Sequence, residues 1–241
     1  MNITILRFDT IDSTNSEAIR QAKLGADEGL CIIASQQTAG RGRHGRTWVS
    51  EKDAGLYFSI VLRPKIDMRF LPLITLMTGV AVNDTLAEFG LKPDIKWVND
   101  ILIGEKKICG ILAETVETPT GLAVIVGIGI NLSSQNFPDE IAETATSLNA
   151  PAEDVETSLA KYLIYWHAIL CGGNGHTKII EEWQRRSSYF SGKSVRVKLA
   201  DATFEGVTDG LEENGALRVK TSDGSIKIVQ AGDVERLRKS Q

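Results

Sequence analysis

An α+β (mixed α/β) fold is predicted for this chain: a larger domain on a mixed β-sheet flanked by helices, followed by a small β-barrel. Three observations predict it. From the N-terminus to near residue 190, strand-like apolar runs alternate with segments of helical periodicity. One run, Leu122 to Leu132, is apolar almost without a break, as in a strand buried on both faces. From Gly192 the pattern changes to short alternating strands divided by Asp209-Gly210, Asn214-Gly215 and Asp223-Gly224, turn chemistry that suits a barrel of about 50 residues.

The bulk properties narrow the class. A chain of 241 residues suffices for one main domain with a small appendage. With 42% hydrophobic and 24% charged residues, the composition is that of an ordinary soluble globular protein. The net charge of −4 makes any basic cluster a local feature, which argues against a general nucleic-acid binder. Cys31, Cys109 and Cys171 are too far apart for a zinc or redox motif, and His44, His167 and His176 show no ligand spacing. Neither a signal peptide nor a membrane-length apolar run is evident, so a cytoplasmic protein with no nucleic-acid or membrane partner is expected.

In chain order, Asn2 to Phe8 reads as an opening strand. Asp9 to Glu17 follows, in which Thr14 and Glu17 have capping-box spacing ahead of Ala18, Ile19 and Ala22. The run Ser13-Thr14-Asn15 serves equally well as a plain helix start and as a set of polar ligand contacts. Gly29 to Ser35 and Leu56 to Leu62 read as strands. Arg69 to Gly90 reads as a long helix, with Pro72 in its first turn, covering one face of a sheet. Ile95 to Ile103 reads as a strand that carries Lys96, Asn99 and Asp100; Gly104-Glu105-Lys106 turns it into a second strand from Lys107 to Glu114. A lysine opening an edge strand commonly guards against aggregation, but the polar cluster on the paired strand weakens that reading of Lys107. Gly127 and Gly129 interrupt the apolar run and mark close approach of a ligand or another backbone. Ser133 to Ala150 reads as an irregular loop, and Val155 to Leu170 and Ile179 to Ser187 read as helices.

The chain is organised around Gly40-Arg41-Gly42-Arg43-His44-Gly45-Arg46, with Gln37 before it and Trp48 after. Glycines let the backbone come close to a ligand, and interleaved guanidiniums offer planar donors to phosphate or carboxylate. The stretch satisfies G-x-G-x-x-G, but no helix follows it, so the dinucleotide fingerprint fails; no Gly-Lys-Ser/Thr follows, so a P-loop fails too. A loop that closes over an anion is the better reading.

In order, Ser13-Thr14-Asn15, Gln37-Thr-Ala-Gly-Arg-Gly-Arg43, Trp48, Lys96-Trp-Val-Asn-Asp100, Lys107-Ile-Cys-Gly-Ile-Leu112, Gly127-Ile-Gly-Ile-Asn131 and Gly232-Asp-Val-Glu-Arg-Leu-Arg238 resemble the biotin–protein ligases over nearly the whole chain. The resemblance implies a catalytic domain over 1–189 and an SH3-like β-barrel over 190–241. It also implies the reaction: biotin and ATP, with Mg²⁺, yield biotinyl-5′-adenylate and pyrophosphate, and biotin then passes to a lysine of the carrier domain of a biotin-dependent carboxylase. Carried onto this sequence, Ser13, Thr14, Asn15, Gln37, Arg41, Gly42, Arg43, Trp48, Lys107, Gly110 and Gly129 would bind biotin. Arg43, Arg46, Trp48, Lys96, Asn99, Asp100 and Asn131 would surround the nucleotide. Lys107, Arg43 and Asp100 would carry the chemistry, with Asp100 positioning the carrier lysine.

Joining two anions requires cancelling their repulsion, which accounts for the density of cations. The Mg²⁺ ligands leave no signature, as expected for an ion held mainly by substrate phosphates. Homodimerisation through the catalytic domain is also implied. Where relatives often carry proline, this chain has Val98, and because a first strand near Ile3 leaves no room for a helix-turn-helix, no repressor function is expected. The competing readings are a lipoate or octanoate ligase of the related fold and a phosphate-driven regulatory binding module.

Overall fold

The computed structural model of the chain describes residues 1–134 and 137–237; positions 135–136 of the expected loop, and 238–241 of the expected barrel, lie outside the described residues. Strands β1 (Thr4–Ile11), β2 (Leu30–Gln37), β3 (Gly55–Leu62), β4 (Pro93–Lys96), β5 (Asp100–Ile103), β6 (Lys106–Thr118) and β7 (Gly121–Asn131) form one sheet in the order β1-β2-β3-β7-β6-β5-β4. β1 and β2 run parallel through the crossover helix α1 (Thr14–Lys23); the other neighbours are antiparallel. Every residue of β3 is buried, because helices cover both faces of the sheet there.

On one face lies α1, whose Ala18 and Ala22 pack with Ile32, Val61, Ala123 and Ile125. On the other lies α2 (Leu73–Glu88), which begins later than the predicted Arg69: Met68–Phe70 forms a 3₁₀ turn, its Arg69 amide held by the Asp67 carboxylate at 2.9 Å. Instead of covering a face with one side only, α2 is buried nearly all round. It packs on β4 to β6 and beneath two further helices, α4 (Ala152–Leu170) and α5 (Gly175–Arg185). Its Thr78 and Thr85 hydroxyls survive this burial by donating to Ile74 O and Ala81 O.

Two stretches differ from expectation. Ile95 to Ile103 is not one strand: Lys96 pairs with Asp100, so 97–99 is the turn of a hairpin between β4 and β5. The predicted return hairpin between β5 and β6 is present. The stretch after β7 is anchored rather than simply irregular. It holds the short helix α3 (Asp139–Ala142), and its backbone brackets Lys107: Lys107 N donates to Thr144 O at 2.8 Å and Thr146 N donates to Lys107 O at 2.9 Å.

Strands β8 (Ser191–Lys198), β9 (Thr203–Leu211), β10 (Leu217–Lys220), β11 (Ile226–Val229) and β12 (Asp233–Arg236) form a second, antiparallel sheet in the order β11-β10-β9-β8-β12. Among the described residues its edges, β11 and β12, are not paired with each other, so the expected barrel is an open sheet. The link from Val229 to Asp233 spans at most about 15 Å, which forces the sheet to curl until its edges come near. Val195, Val197, Leu217 and Val219 join the same hydrophobic core as α2. Buried Trp97 adds a polar tie between the two sheets, its Nε1 donating to Gly215 O at 3.0 Å.

Candidate active site

The site lies on the α1 face of the large sheet, where cross-strand partners from β3, β7 and β6 form three rows. Tyr57, Gly129 and Gly110 make the first row; Ser59, Gly127 and Leu112 the second; Val61, Ile125 and Glu114 the third. The glycines thin the floor for two side chains. A Cβ on Gly129 would lie 2.4 Å from Trp48 Cε2, and one on Gly110 would lie 2.8 Å from Trp48 Cζ3, so the indole lies flat over the first row. A Cβ on Gly127 would lie 2.1 Å from Asn15 Oδ1. The close approach that these glycines signal is therefore made by Trp48 and Asn15. Above the floor is a cleft open to solvent, lined by polar and aromatic side chains as small-molecule sites are.

One end of the cleft is polar and neutral. Ser13, rather than Thr14, caps α1, its hydroxyl accepting from Ser16 N. Thr14 is instead turned to Gln37: its amide and hydroxyl both donate to Gln37 Oε1, at 2.8 and 3.1 Å, while Gln37 Nε2 donates to Ser50 Oγ at 2.8 Å. Buried Ser59 lies 2.8 Å from Thr14 Oγ1 and 2.7 Å from Asn15 Oδ1. Asn15 Nδ2 donates to Glu114 Oε2 at 2.9 Å and to Leu112 O at 3.3 Å. Both amide hydrogens of Asn15 are thus used, and what it can still offer a ligand is a lone pair on Oδ1.

The arginine loop closes this end from above. It is a tight hairpin, with Trp48 N donating to Gly40 O at 3.0 Å and Gly42 N to Arg46 O at 2.8 Å. Each arginine has a different anchor. Arg41 Nη2 donates to Glu114 Oε1 at 2.6 Å, and Arg43 Nη1 donates to Asn99 Oδ1 at 2.9 Å. Arg43 also reaches Gly232 O, and Arg46 pairs with Asp233, both from the C-terminal sheet. Burial pulls the Arg43 pKa down, because withdrawing a guanidinium from water costs more than the nearby carboxylates of Asp233 and Asp100 give back. A phosphate would remove that cost.

The other end is cationic. Lys107 Nζ lies 2.6 Å from Asp100 Oδ1, Lys96 Nζ lies 3.8 Å from Asp100 Oδ2, and Lys107 stands over the Trp48 ring at 5.3 Å. Among the described residues lining the cleft and the hollow beside it, the cations Arg41, Arg43, Arg46, Lys96 and Lys107 meet the carboxylates Asp100, Asp233 and Glu235, and Glu114 pairs with Arg41, which leaves one positive charge in excess. Buried Trp48 Nε1 has no hydrogen-bond partner.

Of the residues expected in the site, all but two line this cleft. Lys96 lines a smaller adjoining hollow with Arg43, Arg46 and Asp100. Asn131 lies outside both. Its amide donates to Thr146 O at 3.0 Å, tying down the segment that brackets Lys107. Three residues of the site were not read from the sequence. Ser59 was visible as the one small hydroxyl residue in an apolar strand, Glu114 as no more than the end of one, and Asp233 only as part of the C-terminal motif. Among the described residues no group of three or more His, Cys, Asp or Glu could hold a metal ion, and no helix is long and apolar enough to cross a membrane.

A mixed α/β sheet bearing a cleft that is neutral at one end and cationic at the other, under an arginine loop, defines a class of protein that binds a small polar molecule next to an anion. Residues 7–131 match the Biotin/lipoate A/B protein ligase family, and residues 190–237 match the Biotin protein ligase C terminal domain. The chain is 36% identical to the bifunctional ligase/repressor BirA of Bacillus subtilis, over 96% of this chain and 73% of that protein. It is 31% identical to the biotin--[acetyl-CoA-carboxylase] ligase of Mycobacterium tuberculosis, over 94% of this chain and 86% of the other. It superposes on a biotin protein ligase from Aquifex aeolicus in complex with biotin and ATP with a TM-score of 0.85, at 28% identity, covering 97% and 99% of the two chains. The chain belongs to the biotin protein ligase family.

Proposed function

We propose that this chain is an ATP-dependent biotin–protein ligase that activates biotin as biotinyl-5′-adenylate and passes it to a lysine of a biotin carboxyl carrier domain. The observation that carries this reading is the two-ended cleft. The neutral end, with Ser13, Thr14, Asn15 and Gln37, suits a ureido ring whose N–H groups need acceptors; the cationic end suits a carboxylate meeting a triphosphate.

In the first step the biotin carboxylate attacks the α-phosphorus, a new O–P bond forms, and pyrophosphate leaves with the electron pair of the broken bond. No enzyme nucleophile is required. Lys107 stands between the two ends and would hold the carboxylate against the α-phosphate, while Arg43, Arg46 and Lys96 neutralise charge at the phosphates. Trp48 and the glycine floor would pack on biotin and the adenylate, and Asn99 would keep Arg43 in place. Asn131 would act through its tie to Thr146, which fixes the segment beside Lys107. In the second step the neutral amine of the carrier lysine attacks the mixed anhydride, an amide forms, and AMP leaves. Asp100 would position that amine once phosphate has drawn Lys107 away from it. The closed loop excludes water from an anhydride that would otherwise hydrolyse.

Mg²⁺ would enter as the counter-ion of ATP. Asp100 and Asp233 are already paired with basic side chains, which suits an ion held mainly by phosphates. We further infer a catalytic unit over 1–189 and a C-terminal unit over 190–241, cytoplasmic placement, and a homodimer through the catalytic domain, where the exposed edge strand β1 has a free side.

The test is carrier biotinylation: purified protein, biotin, ATP and an unmodified carrier domain, read as a mass increase on the carrier. The increase should require both small molecules and vanish when the acceptor lysine is replaced by arginine. Labelling without ATP, or at many lysines of the carrier, would contradict the reading.

A further inference from the structure

Glu114 is remote in sequence from both of the residues it joins, Asn15 and Arg41. It lies on β6 in the third row of the floor, beside Ile125 and away from the anion end. Its two oxygens serve different partners: Oε2 accepts from Asn15 Nδ2 at 2.9 Å, and Oε1 accepts from Arg41 Nη2 at 2.6 Å. Asn15 belongs to the ring-binding end and Arg41 to the loop that covers it. Glu114 is the carboxylate that ties one to the other.

We propose that Glu114 is a positioning residue for the ligase reaction, a carboxylate that couples the ring-binding end of the cleft to the arginine loop through one oxygen each. The inference rests on the ligase reading of the cleft. Three features give it physical content. The Glu114 side chain is 24% exposed, so its ion pair with Arg41 is shielded from solvent on one side. Arg41 is 42% exposed, and Glu114 is the carboxylate it pairs with, so loss of Glu114 frees the first arginine of the loop. Finally, Asn15 has spent its other amide hydrogen on Leu112 O and one lone pair of its Oδ1 on Ser59, so its plane is fixed from three sides, one of them Glu114. A ring that accepts this fixed Asn15 Oδ1 geometry stabilises the Glu114 rotamer, and that rotamer presents Oε1 to Arg41. Acid binding and loop closure then reinforce each other through one side chain.

Glu114→Gln separates the two tasks. Its amide oxygen can still accept from Asn15, but its NH₂ group faces a guanidinium and has nothing to accept with. Limited trypsin digestion reads the loop directly, because Arg43 and Arg46 are themselves cleavage sites. In wild type, biotin should slow cleavage at these sites. In Glu114→Gln, cleavage in the presence of biotin should be about fivefold faster, biotinyl-adenylate should escape from the enzyme faster by a similar factor, and biotin affinity should weaken by no more than that factor, while global melting stays near wild type. Arg41→Gln, a change at an exposed side chain that does not threaten folding, should loosen the loop to the same degree. The double variant should be no worse than either single variant, since both remove one link. Glu114→Asp should recover part of the protection.

Unchanged loop cleavage in both single variants, or effects that add in the double variant, would overturn the proposal. Loop protection depends on biotin alone, so it stands apart from turnover. A wild-type protein that gains protection with biotin but makes no adenylate would sink the ligase reading and leave the coupling intact; protection lost in Glu114→Gln and kept in Arg41→Gln would overturn the coupling.

Discussion

Lys107 Nζ and Asp100 Oδ1 are 2.6 Å apart, and the backbone on either side of Lys107 is clamped by Thr144 and Thr146. The lysine reaches across the cleft from a fixed base, with its charge held by a carboxylate until an anion competes for it. Lys107→Ala removes the cation between the two ends of the cleft. Removal of one such preorganised donor should lower the rate of adenylate formation by about 10²–10³-fold, with a smaller effect on biotin binding. Single-turnover kinetics with labelled biotin would measure this.

Asp100→Asn should act differently. Without the carboxylate, Lys107 and Lys96 lose their resting partner and remain free for phosphate, so adenylate formation should persist while transfer to the carrier slows. The two half-reactions, timed separately, check the assignment; equal losses in both would assign Asp100 to the phosphates alone.

The glycine floor gives a steric prediction. Gly127→Ala places a methyl group 2.1 Å from Asn15 Oδ1, and Gly129→Ala one 2.4 Å from the Trp48 ring. Each displaces a side chain of the cleft and leaves the backbone of the sheet intact. Biotin affinity should fall about tenfold, equivalent to roughly 1.4 kcal/mol, with little change in melting temperature. Titration calorimetry and thermal unfolding on the same samples would separate the two effects.

Stability at acid pH should depend on Glu182. Arg186, with help from Lys178, holds its carboxyl below the ordinary range of 4.5. A carboxyl whose folded pKa is depressed stabilises the fold above its unfolded value, and that contribution fades as pH falls through the lower folded value. Glu182→Gln should therefore be less stable than wild type at pH 7, with the gap closing as pH falls below the ordinary 4.5 and through the lowered folded value. Urea unfolding across that range would show it.

Much of this arrangement was legible in the sequence, for identifiable reasons. The opening strand, the crossover helix, the hairpin that ends in Lys107 and the buried run through Gly127 and Gly129 carry strong periodicity or turn chemistry. The arginine loop declared itself by composition. The turn at 97–99 did not, because Trp97 and Val98 favour strands and no glycine or proline marks the reversal. The full burial of α2 was hidden as well: two apolar layers meet it from opposite sides, and only tertiary packing reveals the second. Glu114 and Asp233 illustrate a further limit. Each meets an arginine from a distant part of the chain, and spacing along a sequence says nothing about which carboxylate such a loop will find.

The account stands or falls on the first half-reaction. ATP–pyrophosphate exchange by the purified protein should be measured with biotin, with lipoate, with octanoate and with no acid. Exchange that requires biotin and collapses in Lys107→Ala and Arg43→Gly is the predicted result. Exchange with lipoate or octanoate but not biotin, or none with any acid from a folded protein, would contradict it.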